Sequence, residues 1–315
     1  MHQPERPFVL LLFLDGVGLG DDNPETNPFV TAVLPHLTSL LGQNWFLRDT
    51  GRRTTERASF VPTDASLGVP GRPQSATGQA VILSGRNVPQ AIGEHYGPKP
   101  NTAVRNELAH GTLFDDVLSA GQSAALLTPY PQPYFEAIAS GKRLYSAVPQ
   151  AAVNAGVRLR TAVDLRQGQA ISPDFTNRGW VEQLGMDDMP VYDTAVAGQK
   201  LAALAAQFDF SFFEHWPSDR PGHRGPLSAA RAHLEMLDEV IGGLLTAWPA
   251  ERGLLLITSD HGNIEDKSQR QHTTNPVPTI LVGLNHAQLA AQINSLLDIA
   301  PVIRQALGLP TTDTA

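Results

Sequence analysis

Seven consecutive apolar residues, Phe8–Leu14, begin the patterned part of the chain and run into Asp15-Gly16-Val17-Gly18-Leu19-Gly20-Asp21-Asp22. An unbroken run without polar alternation predicts a strand buried on both faces, as in the interior of a parallel sheet. Residues 253–257 predict a second buried strand, entered through a glycine and followed by Thr258-Ser259-Asp260-His261-Gly262-Asn263. Residues 208–213 and 279–282 read as two more strands. Helical patterns lie between them: residues 34–41, a short stretch from Ser75 closed by Gly85, and residues 113–118 up to Gly121, in a unit reaching Thr128. Residues 194–207 are rich in alanine and leucine, and Leu227, Ala230, Leu234, Leu237, Ile241 and Leu244 repeat at three and four, the stripe of an amphipathic helix. A last helix is expected over residues 298–307, ended by Gly308, before five residues that read as a loose tail. Strands alternating with helices predict an α/β fold, a mostly parallel sheet with helices on both faces. Residues 139–192 lose clear periodicity and hold Lys142, Arg143, Arg158, Arg160, Arg166 and Arg178.

In open α/β sheets ligands bind outside the carboxyl ends of the strands. Asp15 and Asp260 both leave buried runs at that edge, and His261 stands beside Asp260. His272 follows eleven residues later in His-Thr-Thr-Asn-Pro-Val-Pro. Carboxylate and imidazole offered together suit a divalent metal. Taken alone, Asp15 before glycine serves equally well as a turn cap. The glycines after it do not mark a dinucleotide site, because Asp-Asp-Asn-Pro-Glu-Thr-Asn-Pro follows them rather than a helical pattern. In Asp219-Arg220-Pro221-Gly222-His223 the proline and glycine argue for a turn, which could aim both end residues at one ion or be an exposed polar loop. His215, His233 and His286 read as ordinary surface or partly buried histidines.

Ser75 follows Arg72-Pro73-Gln74 at the start of its short helix. Free N–H groups and the positive dipole end there favour an anion, a serine alkoxide or a phosphate oxygen. Metal coordination can activate such a hydroxyl without a histidine base. A plain N-cap is the other reading of the same residue.

Taken together, these blocks resemble the metalloenzyme domain of the alkaline phosphatase superfamily, with closest likeness to the cofactor-independent phosphoglycerate mutases and the phosphopentomutases. The shared features are the Asp15-Gly16 pair after the first strand, Ser75 three residues before Gly78, Asp219 with His223, Asp260-His261-Gly262-Asn263, and His272-Thr273 with the proline at 278. The resemblance implies one metal held by Asp15, Ser75, Asp260 and His261, and another by Asp219, His223 and His272. Two such ions about 3.5–4 Å apart clamp an in-line displacement. Ser75 would then be the catalytic nucleophile and pass through a phosphoserine. Asn263 and Asn275 would orient ligands. It also implies a small cap over residues 139–192 inserted into a discontinuous core of 1–138 and 193–315, where arginines suit phosphate or carboxylate groups or simply form solvated surface. Mn²⁺ or Zn²⁺ fits the ligands, with likeness to the mutases favouring manganese.

Two departures bear on the reaction. The mutases carry His after the glycine of the serine motif, and this chain has Gln79; they carry Asn-Ser-Glu or Asp-Thr where this chain has Gln74-Ser75-Ala76. The mutases of phosphoglycerate also carry a large inserted domain. These points favour a phosphatase acting on a small phosphorylated metabolite, with a phosphomutase as the alternative and a non-catalytic metal-binding protein of the same fold behind both.

Composition narrows the field further. The 315 residues suffice for one full domain with a small insertion. A net charge of −8 and pI near 5.6 give a nucleic-acid partner no electrostatic support. Cysteine is absent, so any metal shell is oxygen and nitrogen. The N-terminal apolar run is too short for a membrane helix, and no membrane partner is expected; cytoplasm is the default location. Oligomeric state has no sequence signal.

Overall fold

The computed structural model describes residues 6–42 and 46–310. The tail expected after residue 310 lies outside them. A seven-stranded sheet forms the centre, built from β1 (Phe8–Leu14), β2 (Arg53–Thr54), β3 (Ala58–Thr63), β4 (Ala124–Leu126), and three long strands near the chain's C-terminal half. A separate two-stranded ribbon pairs β5 (Pro129–Tyr130) with β6 (Arg160–Thr161). The remaining strands of the main sheet are β7 (Phe210–His215), β8 (Gly253–Ser259) and β9 (Val277–Gly283), and the order is β2-β3-β9-β8-β1-β7-β4.

β1 pairs in parallel with both β7 and β8, and β4 in parallel with β7. β9 runs antiparallel to β8 and β3, and β2 antiparallel to β3, so the sheet is largely parallel with an antiparallel flank. The strand expected at 208–213 begins at Phe210, because the amides of Gln207 and Phe208 close the preceding helix onto Leu204 and Ala205.

Both faces are covered. Along β1, Val9, Leu11 and Phe13 enter one apolar cluster while Phe8, Leu10, Leu12 and Leu14 enter the other, the period-two alternation of a doubly buried strand. On the second face lie α1 (Pro35–Leu41) and, later in the chain, two long helices. On the first lie α2 (Ser75–Ser84), α3 (Thr102–Ala109), α4 (Leu113–Ser119) and α5 (Ala147–Asn154). All ten residues of α2 are buried, which explains why it has apolar residues around its whole circumference and no amphipathic stripe. The two helices of the second face are α6 (Thr194–Ala205) and the amphipathic helix of 21 residues that follows α7 (Asp219–His223), namely α8 (Leu227–Ala247). The chain returns to the first face in α9 (Ile299–Ala306).

α7 corrects the expected turn. Pro221 is its third residue, within the first turn, where an amide has no intrahelical acceptor anyway; its missing N–H therefore costs nothing there. Among the described residues no helix is long and apolar enough to cross a membrane.

Candidate metal centre

The three central strands end side by side, and the residues leaving them share one edge. Asp15 follows β1, Asp219 opens α7 just beyond β7, and Asp260 and His261 follow β8. Ser75 arrives from the other direction, as the first residue of α2. Its Oγ lies 3.0 Å from His261 Nε2. Around that nitrogen stand Asp15 Oδ1 at 3.4 Å and Asp260 Oδ1 at 3.6 Å. The imidazoles of His261 and His272 stack at 3.6 Å between centroids. His272 Nε2 is 3.2 Å from His223 Nε2 and 3.9 Å from Asp219 Oδ1, and His223 Nε2 is 3.0 Å from Asp219 Oδ2. The structure thus brings together all seven residues singled out in the sequence. Two triads have ligand atoms within 4.8 Å of one another, Asp15-Asp260-His261 and Asp219-His261-His272, so His261 stands between the two halves.

The histidines are oriented by backbone. His223 Nδ1 faces the Arg270 carbonyl at 2.7 Å, His272 Nδ1 the Pro73 carbonyl at 3.0 Å, and His261 Nδ1 the Gly262 carbonyl at 3.4 Å. A carbonyl only accepts, so each Nδ1 carries the proton and each Nε2 turns a lone pair into the site. This is the arrangement that fixes a metal-ligating imidazole.

Electrostatics point the same way. Burial, with Asp260, Asp219 and Glu214 nearby, raises the Asp15 carboxyl well above its usual range. Burial and then Asp219 push Asp260 up to about 7. Burial lowers His261 to about 4, and burial with the neighbouring His261 lowers His272 to about 4. The crowded carboxylates oppose one another's charge only while no positive charge sits among them, and imidazoles held neutral keep a lone pair for a metal. Asp15 Oδ1 is moreover buried with no hydrogen-bond donor among the described residues. The donor set therefore fits divalent cations bound by oxygen and nitrogen.

The orienting residues divide differently from expectation. Asn263 Nδ2 donates to Asp219 Oδ1 at 2.5 Å. Among the described residues Asn275 hydrogen-bonds none of the seven; it donates to Glu265 Oε1 at 3.0 Å and accepts from Arg48 at 2.7 Å. Gln79 is buried and donates to Asp260 Oδ2 at 3.3 Å. Of the first-turn amides of α2, that of Thr77 is taken by the Tyr96 carbonyl at 3.0 Å.

A cleft of ≈ 600 Å³ opens over His223 and His272, lined also by Arg72, Gln74, His95, Tyr96 and Arg270. Arg72 donates to the His272 carbonyl at 3.0 Å. Sequence reading missed both arginines, which lie in ordinary polar loops. The basic residues of 139–192 are largely engaged elsewhere: Arg158 pairs with Asp164 at 2.7 Å and Arg166 with Asp188 at 2.5 Å, Arg160 donates to the Gln169 carbonyl, and Arg143 lies over the Tyr134 ring. His215, read as an ordinary histidine, is fully buried and lies 2.9 Å from His233, Nε2 to Nε2. Burial in the interior of the β7 end was not visible from its polar neighbours in sequence.

Residues 183–311 match the metalloenzyme superfamily. A 2,3-bisphosphoglycerate-independent phosphoglycerate mutase of Desulforudis audaxviator is 36% identical over 110 residues, which cover 33% of this chain and 22% of that enzyme. The chain thus spans under a quarter of the length of that relative. A protein from Pyrococcus horikoshii superposes with a TM-score of 0.56 at 16% identity, over 99% of this chain and 100% of that one. The alkaline phosphatase of the Antarctic bacterium TAB5 gives 0.51 at 12% identity, over 98% of this chain and 100% of that one. At such identities the likeness is one of fold. Residues 183–311 thus carry a metalloenzyme (alkaline phosphatase) superfamily domain, related to the cofactor-independent phosphoglycerate mutases.

Proposed function

We propose that the chain is a two-metal-dependent phosphoryl-transfer enzyme with Ser75 as its nucleophile. The observation that carries this reading is the convergence of a serine hydroxyl at the start of a buried helix with three carboxylates and three Nε2-presenting imidazoles. Asp15, Ser75, Asp260 and His261 would hold one divalent ion, Mn²⁺ or Zn²⁺, and Asp219, His223 and His272 the other. The chemistry such ions supply when bound is a lowered hydroxyl pKa and neutralisation of charge on the transferring phosphoryl group.

The chain's own residues supply the rest. Ser75 Oγ forms a bond to phosphorus as the bond to the substrate's ester oxygen breaks, leaving a phosphoserine. An acceptor oxygen then takes the phosphoryl group and regenerates the serine. Arg72 and Arg270, on the cleft wall, offer planar donors to the oxygens of a small phosphorylated substrate. The backbone carbonyls of Pro73, Arg270 and Gly262 keep the imidazole lone pairs aimed inward.

The acceptor separates two reactions. Likeness to phosphoglycerate mutases supports transfer to a substrate hydroxyl, and we take a phosphomutase as the better supported reading. Hydrolysis is the second reading, supported by Gln79 in place of the mutases' histidine and by the small size of the proposed cap over 139–192. Incubation with phosphorylated sugars and glycerates plus Mn²⁺ or Zn²⁺, followed by phosphorus NMR, distinguishes them. Conversion of one phosphate isomer into another marks the mutase, and inorganic phosphate marks the phosphatase. Either activity should vanish in Ser75→Ala. Metal binding with neither activity would leave a non-catalytic binding protein and defeat the proposal.

A further inference from the structure

Glu265 lies outside the donor set, yet its carboxylate connects the loops that carry it. The side chain is buried, with 1% of its surface exposed. Oε2 accepts from the amides of Gly18 at 3.0 Å and Asn263 at 2.7 Å. Oε1 accepts from Thr273 Oγ1 at 2.5 Å and Asn275 Nδ2 at 3.0 Å. These donors come from the loop after β1 that holds Asp15 and from two stretches of the long β8–β9 loop, one beside Asp260 and His261 and one beside His272. Four donors on two oxygens match the accepting capacity of a carboxylate. The fit is close, since a Cβ on Gly18 would stand 2.3 Å from Oε1. Gly18 has no positive φ, so alanine there is excluded by Glu265 and not by its backbone.

We propose that Glu265 is a positioning residue that holds the ligand-bearing loop after β1 and the two ligand-bearing stretches of the β8–β9 loop in register, so that metal affinity depends on it more than the fold does. The inference rests on the reading of the aspartates and histidines as metal ligands. The sheet itself is secured elsewhere, by the fully buried ladders of β1 with β7 and β8. Glutamine at 265 keeps one accepting oxygen, for the two backbone amides, and turns its own N–H groups toward the Thr273 hydroxyl and the Asn275 amide. The hydroxyl can rotate to accept; the amide group of Asn275 loses its partner. Alanine leaves all four buried donors unpaired.

The test is Mn²⁺ titration calorimetry on the wild type, Glu265→Gln, Glu265→Ala, Gly18→Ala and the Gly18→Ala/Glu265→Ala double variant, with thermal unfolding of each metal-free protein. Glu265→Gln should unfold near the wild-type temperature and bind Mn²⁺ about 10–100-fold more weakly, the usual cost of losing an outer partner of a metal site. Gly18→Ala, which must push the carboxylate aside, should unfold somewhat lower and bind as weakly. The double variant should bind no more weakly than Glu265→Ala, because the Gly18 substitution acts through the same carboxylate. Should Glu265→Ala fail to fold, the glutamine variant and Gly18→Ala decide the matter. Folded variants with Mn²⁺ affinity within about twofold of the wild type would overturn the proposal. So would affinity losses that simply track losses of metal-free stability. A wild type that binds no Mn²⁺ or Zn²⁺ overturns the metal reading as well, which separates that failure from the failure of Glu265 alone.

Discussion

Asn263 Nδ2 donates to Asp219 Oδ1 at 2.5 Å and to the Asp219 carbonyl at 3.0 Å, so the loop after β8 fixes the first residue of α7. The amide leaves Asp219 Oδ2 facing His223 at 3.0 Å. A side chain 44 residues away in sequence therefore sets the rotamer of the carboxylate in the Asp219-His261-His272 half of the site.

Asn263→Ala should weaken Mn²⁺ binding and lower phosphoryl-transfer rate by about 10–100-fold, because Asp219 loses its orienting donor. Calorimetry and steady-state kinetics measure the two effects. Wild-type values for both would show that Asp219 is held without Asn263.

Gly78→Ala tests the approach of α2 to the loop after β8. A Cβ at position 78 would stand 2.8 Å from Asp260 Cβ and 3.0 Å from the Asp260 carbonyl oxygen. The helix or the loop must move, at a cost of about 1–3 kcal/mol typical of overpacking. Urea unfolding should show that loss, and Ser75-dependent activity should fall with it. A variant of unchanged stability would mean that the two elements slide apart freely.

Glu214 should give the stability of the metal-free protein a dependence on pH. Burial pushes its carboxyl from 4.5 up to about 7, against the pull of the Tyr130 hydroxyl, which donates at 2.5 Å. The folded chain then holds this proton more tightly than the unfolded chain. Its contribution is fully present below pH 4.5 and is lost as pH rises through about 7. For a fully buried group that is on the order of 3 kcal/mol. Glu214→Gln should flatten urea-unfolding stability across this window relative to the wild type. Parallel pH profiles for the two proteins would refute the assignment.

The His215–His233 pair acts in the opposite direction. His215 Nδ1 gives its proton to the Pro173 carbonyl at 2.6 Å, so its Nε2 accepts from His233 Nε2–H. Burial lowers His233 from 6.5 to about 4. The unfolded chain takes up the proton first, so the stability is present above pH 6.5 and is lost as pH falls toward 4. His233→Gln retains an N–H donor for His215 and should show a smaller loss of unfolding temperature on acidification over that range. An equal loss in both proteins would place the acid sensitivity elsewhere.

Local composition was enough to reveal β1 and β8, because a strand buried on both faces needs an uninterrupted apolar run whatever its neighbours are. The stripe of α8 was equally legible, since a helix between sheet and solvent must repeat its apolar residues at three and four. So were Asp15, Ser75, Asp219, His223, Asp260, His261 and His272 as candidates: each stands in a short motif, four of them within six residues of the end of β1, β7 or the apolar run of β8. What tertiary structure decided was relative placement. The antiparallel direction of β9, the helical form of Asp219–His223, the stacking of His261 on His272 and the pairing of His215 with His233 all depend on contacts between distant segments. Glu265 shows the reason most plainly. In sequence it is one acidic residue between Ile264 and Asp266, indistinguishable from a solvated surface charge. Its burial is tolerable only because four donors from the loop after β1 and from two stretches of the β8–β9 loop meet its two oxygens, and no local pattern records where those segments will converge.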